Sequence, residues 1–236
     1  MTSVSAKEEF TLRLFAEWLP DYCNDPERRY APDKTPLAGR LLTEEDARDF
    51  LRALDAGVVS FGERQFLKLG QGKRSSETLF TEGQKKFTPR RVRLWVESLV
   101  TAALAGRLHL DYGWPLQSLT IQSKDSAFDL IAFGPDSTNE YIAVEVKKTS
   151  SEVDDLLKDL AMCCAGDHGP SCFSRGKRLN AHRKWIALQA RHPQLFWAVG
   201  AHPDCRLFEV LVTADNNIRL EAVSTARLHF HQQIST

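Results

Sequence analysis

Apolar and polar positions along the chain change period several times. Residues 7–19 (KEEFTLRLFAEWL) read as a helix, with Pro20 as its stop. Residues 20–42 are rich in Pro, Asp and Arg and read as a loop. Thr43, with Asp46 three positions on, opens a second helix over 44–55, closed by Gly57. Residues 70–90 carry no clear period and read as a linker. After Pro89 the pattern sharpens. Val92, Trp95, Val96, Leu99 and Ala103 form one apolar stripe, which predicts a helix over 90–105 with Gly106 as its stop. Short β-rich runs follow at 117–122, 127–133 and 141–147. A helix at 152–165 comes next, capped by Ser150 or Ser151, with Val153, Leu156, Leu157, Leu160, Ala161 and Cys164 on its apolar face. A basic loop leads to a helix at 180–191. Strands are predicted at 195–199, 206–213 and 218–223, the last two joined by a turn at Asp215-Asn216-Asn217.

Strands joined by hairpins and by helical crossovers make the expected fold α/β: a mixed sheet flanked by helices, with a mainly helical N-terminal region. We divide the chain into residues 1–89, an element for target recognition or dimerisation, and a domain at 90–236. No apolar run approaches the ~18–20 residues of a membrane span, so no membrane partner is expected. The opening MTSVSAKEEF carries no apolar signal core. The cysteines are Cys23, Cys163, Cys164, Cys172 and Cys205. An odd count with two adjacent is not a disulfide framework, and it points to a reducing cytoplasm. Cys163, Cys164, His168, Cys172 and His182 gather along the chain without the paired spacing of a zinc site.

The chemistry concentrates in residues 128–149 (FDLIAFGPDSTNEYIAVEVKKT), two strands around a polar loop centred near residue 137. Paired residue numbers in such a hairpin sum to a constant, here near 274, which sets Asp129 opposite Glu145. Alternation then puts Asp129, Glu145 and Lys147 on one face and Val144 and Val146 on the other. Two carboxylates on apolar strands are costly to bury unless they are paired or bound to metal. Mg²⁺ accepts one or two carboxylates beside water and phosphate oxygens. A lysine two residues on can orient water or stabilise a phosphoryl oxygen. Metal-assisted phosphodiester hydrolysis suits this set.

Asp129 followed by Glu145-Val146-Lys147, within the order helix, three strands, helix, resembles the PD-(D/E)XK nuclease superfamily over roughly residues 90–212. The resemblance implies a restriction-endonuclease-like fold and a Mg²⁺-dependent nuclease, with Mn²⁺ able to substitute. It implies that Asp129, Glu145 and the carbonyl of Val146 hold metal and that Lys147 assists the water nucleophile. It also suggests Glu97, on the preceding helix, as an accessory ligand, where plain surface is the alternative. Phe128 stands where the family pattern has Pro. The literal Pro135-Asp136 pair sits at the hairpin tip, too far along extended chain from Glu145, and Asp136 reads as a turn residue. Lys148 and the acids Asp154, Asp155 and Asp159 read as surface, and Lys158 as a possible substrate contact.

The 31 basic residues balance the 31 acidic ones, which argues against a generally basic coat protein. The basic residues are nevertheless bunched. Residues 64–93 hold nine of them against two acids, and residues 170–192 hold six with none. From these blocks Lys73, Arg74, Lys85, Lys86, Arg90, Arg175, Lys177, Arg178, Arg183 and Lys184 are the candidate phosphate contacts. The expected activity is an endonuclease rather than an exonuclease, with DNA as partner and a homodimer as one possible state. Alternatives are a nuclease acting on RNA, or a catalytically silent binding or scaffold module of the same fold.

Overall fold

The computed structural model describes residues 4–24, 42–70, 74–82, 92–122, 127–136, 138–164, 176–214 and 217–230. The chain divides into two compact units, Met1–Asp111 and Tyr112–Thr236. The sequence pattern suggests a division at 89/90; the helix that precedes the central strands is instead grouped with the first unit.

In the first unit, α1 (Ala6–Arg13) begins at a reciprocal cap. The Ser5 hydroxyl accepts the Glu8 N–H, and the Glu8 carboxylate accepts the Ser5 N–H. The helix does not stop at Pro20. It widens into a π turn over Leu14–Trp18 and continues as α2 (Leu19–Cys23), with Pro20 in its first turn. A proline removes one ladder donor and crowds the carbonyl four residues back; the opened turn accommodates both. Helix α3 (Glu44–Asp55) starts as expected, the Thr43 hydroxyl accepting the Asp46 N–H, and Gly57 follows it at φ +68°. Phe10, Trp18 and Phe50 meet edge to face, with ring centroids 5.5–5.8 Å apart.

Among the described residues the N-terminal region is helical over Ala6–Cys23 and Glu44–Asp55, and it also carries short strands. Strands β1 (Val59–Phe61), β2 (Phe66–Leu69) and β3 (Arg74–Thr78) form an antiparallel sheet, and β4 (Phe80–Glu82) pairs with β5 (Val92–Leu94). Two of these strands lie inside the expected linker at 70–90. They are three to five residues long and partly polar, without an unbroken apolar run.

Helix α4 (Val96–Leu110) starts six residues later than predicted, because Val92 belongs to β5, and it runs through Gly106. A Cβ at Gly106 would lie 2.6 Å from Ala53 Cβ on α3. The glycine serves close helix packing, not termination. Burial is correspondingly wide: Leu99, Val100, Ala102, Ala103, Leu104 and Leu108 are all inside.

The second unit is built on β6 (Leu119–Ile121), β7 (Leu130–Phe133), β8 (Glu140–Val146), β9 (Leu195–Val199), β10 (Cys205–Val212) and β11 (Ile218–Ala222), adjacent in sequence order. Every pairing is antiparallel except β8 with β9, which is parallel. A parallel step needs a crossover, supplied by α5 (Ser150–Cys164) and α6 (Gly176–Arg191). The cap of α5 is Thr149, whose hydroxyl accepts the Glu152 N–H at 3.2 Å, rather than Ser150 or Ser151. Val153, Leu156 and Leu160 of α5 and Ala181, Ala187 and Leu188 of α6 pack with Ile131, Ala143, Phe196 and Ala198 of the sheet. The chain is thus a mixed α/β protein. Among the described residues no helix is long and apolar enough to cross a membrane.

Candidate active site at the end of β7 and β8

The β7–β8 register follows the constant read from the sequence. Leu130 pairs with Val144, Ile131 with Ala143 and Ala132 with Ile142, and a one-residue shift intervenes only at Phe133 and Glu140, towards the loop. Alternation along β8 therefore sets Glu145 on the same face as Ala143, the face covered by α5 and α6. Val144 and Val146 point the other way and are also buried.

Just before β7, the Asp129 N–H donates to the Val144 carbonyl at 3.0 Å, and its Oδ2 accepts the Val146 N–H at 2.7 Å. Asp129 is thereby fixed against the last residues of β8. An extended residue directs its N–H and C=O to the same side, so the Val146 carbonyl shares the side of Asp129.

Glu145 is 1% exposed, and both its oxygens are engaged by lysines. Lys147 Nζ donates to Oε1 at 2.5 Å and Lys184 Nζ donates to Oε2 at 2.5 Å. Lys184 enters from α6, also donates to the Ala127 carbonyl at 2.7 Å, and lies over the Phe128 ring, 5.6 Å from its centroid. Burial, and next the nearby Glu145 charge, push the Asp129 carboxyl up to about 7. Lys184, the Val146 N–H and Lys147 oppose that rise.

Lys184 is thus misplaced among the phosphate contacts. It is buried at 5% exposure and completes a cluster of two carboxylates and two ammonium groups. A signal for it did exist: it falls three positions after Ala181 and four before Leu188, inside the buried stripe of α6.

The donor set fits a hard divalent cation. Asp129, Glu145 and the Val146 carbonyl are all oxygen ligands of the kind Mg²⁺ takes. Among the described residues, no group of three or more His, Cys, Asp or Glu side chains gathers as a metal site, and this site brings together two carboxylates. No family model, curated protein or solved structure matches this chain. The site is accordingly argued from its own geometry.

The other predicted residues are spread out. Glu97 lies in the first turn of α4, where its carboxylate accepts the Trp95 Nε1–H at 3.1 Å. Arg178 and Arg183 are exposed on α6, and Arg178 lies 3.8 Å from Asp159. Arg74 is in β3 and Lys177 in α6, with side chains outside the described set. Lys73, Lys85, Lys86, Arg90 and Arg175 lie outside the described residues, as do His168 and Cys172 of the cysteine-histidine cluster. Asp136 is the turn residue expected. Its Oδ1 accepts the Thr138 and Asn139 N–H groups, which hold its carboxyl below the usual range. Asp154 pairs with Arg206 at 2.6 Å, Lys158 is exposed, and Lys148 is exposed beyond β8.

Proposed function

We propose that the chain is a Mg²⁺-dependent nuclease of restriction-endonuclease-like fold, acting on DNA in a reducing cytoplasm, with Mn²⁺ able to replace Mg²⁺. The observation that carries this is the meeting of Asp129, just before β7, with the end of β8 that bears Glu145, with Lys147 on Glu145. Asp129, Glu145 and the Val146 carbonyl would hold the cation. Bound there, it would neutralise the paired carboxylates and polarise a phosphate oxygen.

The chain's own groups divide the remaining work. Asp129 is fixed by the Val146 N–H, so its second oxygen has a defined direction. Lys147 is the lysine of the pair reachable from solvent, its side chain 19% exposed against 6% for Lys184. It is therefore the one to orient a water or to donate to a phosphoryl oxygen. Arg178 and Arg183 lie on the same helix as Lys184 and offer charge to a phosphate backbone.

A second reading has its own support. Two carboxylates and two lysines already balance in charge, which would suit a catalytically silent module. Incubation with plasmid, single-stranded DNA and RNA, in Mg²⁺, Mn²⁺ or EDTA, separates the two. Metal-dependent cleavage of DNA is expected, lowered at least about a hundredfold by Glu145→Ala and by Lys147→Ala. Cleavage that survives both substitutions would remove the site assignment. Nucleic-acid binding without cleavage of any substrate would favour the silent module, and cleavage confined to RNA would change the substrate.

A further inference from the structure

Each oxygen of Glu145, a proposed metal ligand, already accepts an ammonium. Lys147 occupies Oε1 and Lys184 occupies Oε2. A cation binding this carboxylate competes with an ammonium already on each oxygen, and the two lysines are not equivalent. Lys147 lies at the end of β8 and is partly exposed, so its head can swing towards water. Lys184 is 5% exposed and is held by three partners at once: Glu145, the Ala127 carbonyl and the Phe128 ring. Ala127 and Phe128 immediately precede Asp129, so this one ammonium spans both carboxylate-bearing segments. A divalent cation bridging Asp129 and Glu145 would span the same two.

We propose that Lys184 is a built-in counter-ion that holds the place of the metal charge and competes with a cation for Glu145. This rests on the metal-site proposal above and adds a regulation to it. In the metal-free protein the ammonium offsets part of the repulsion between two buried carboxylates. With a divalent cation present it becomes a like charge beside that cation and weakens its binding. Lys184 therefore sets the cation concentration at which the site fills, and it sets it high. No contact with substrate is required for this role.

Titrating Mn²⁺ into the full chain without nucleic acid, by calorimetry, tests the idea. Lys184→Gln removes the charge and keeps a donor for the Ala127 carbonyl; its Mn²⁺ affinity should tighten by about tenfold or more. Lys184→Arg keeps the charge and should stay close to the wild type. In EDTA the Gln variant should melt at lower temperature than the wild type, and Mn²⁺ should restore it. Equal or weaker Mn²⁺ binding by a folded Gln variant overturns the proposal while leaving the metal site standing. Failure of both wild type and Gln variant to take up Mn²⁺ removes the metal site itself. Should the Gln variant not fold, the wild type still decides. The Lys184 ammonium ¹⁵N resonance, assigned by its loss in Lys184→Arg, should shift on Mg²⁺ addition, and an unmoved resonance refutes the competition.

Discussion

At the scale of single residues, the cluster turns on how a buried carboxylate is kept. Asp129 is raised from 3.8 to about 7 by burial first and by Glu145 second. A group whose folded value lies above its unfolded one stabilises most below the unfolded value and loses that contribution as pH climbs through the folded one. The metal-free protein should therefore lose stability between about pH 4 and pH 7 through this residue, by roughly 2–4 kcal/mol. Asp129→Asn still offers an oxygen to the Val146 N–H and should flatten that part of the curve. Urea melts of both proteins in EDTA across this range provide the check, and parallel curves would refute the assignment. The position of Asp129 was legible because a hairpin register can be counted from its loop centre. The role of Lys184 was not, since a charge block counted along the chain does not say which basic residues of a helix face inward. Placing Lys184 on the stripe of Ala181 and Leu188 separates it from Arg178 and Arg183, which stay outside.

At the scale of elements, the legible parts were those with a long period or a strong cap. Helix α3 with its Thr43 cap, the β7–β8 hairpin and strand β9 lie where the pattern puts them. Pro20 and Gly106 mislead because each reads as punctuation, while the surroundings give each a different use. A π turn absorbs Pro20, and a neighbouring helix needs the missing Cβ of Gly106. Gly106→Ala gains helix propensity but forces a methyl against Ala53. A net loss of about 1–3 kcal/mol is expected from such overpacking. Ala53→Gly in the same chain should recover most of it, so the pair should be strongly non-additive in a denaturant-based double-mutant cycle. Additive losses would show that the helices do not meet there. Strands β1 to β5 escape for a different reason: each is short and interrupted by polar residues, without the unbroken apolar run that marks β9.

At the scale of the whole molecule, a formal net charge of zero conceals a division of labour. The acids at the candidate site face lysines inside the fold, whereas Arg178 and Arg183 remain at the surface of α6. If these two contact phosphates, DNA affinity should fall steeply with salt, and each Arg→Ala change should lower the slope of log affinity against log salt by about one. Lys184→Gln should leave that slope unchanged, because the residue is buried. Filter-binding or anisotropy titrations across salt concentrations would measure this, and a slope indifferent to both arginines would place the backbone contacts elsewhere.

The parallel step between β8 and β9 also has a consequence in time. Asp129 and Val146 are 17 residues apart and joined by a local hairpin, whereas Glu145 and Lys184 are 39 apart and meet only across the crossover. Longer closures cost more chain entropy before the interactions they allow can repay them. The hairpin can therefore form while its carboxylates are still hydrated, and the second lysine arrives when α6 docks. Within the ionic cluster, the Lys184 contact is the part that waits for the crossover, so it is expected to close after the hairpin.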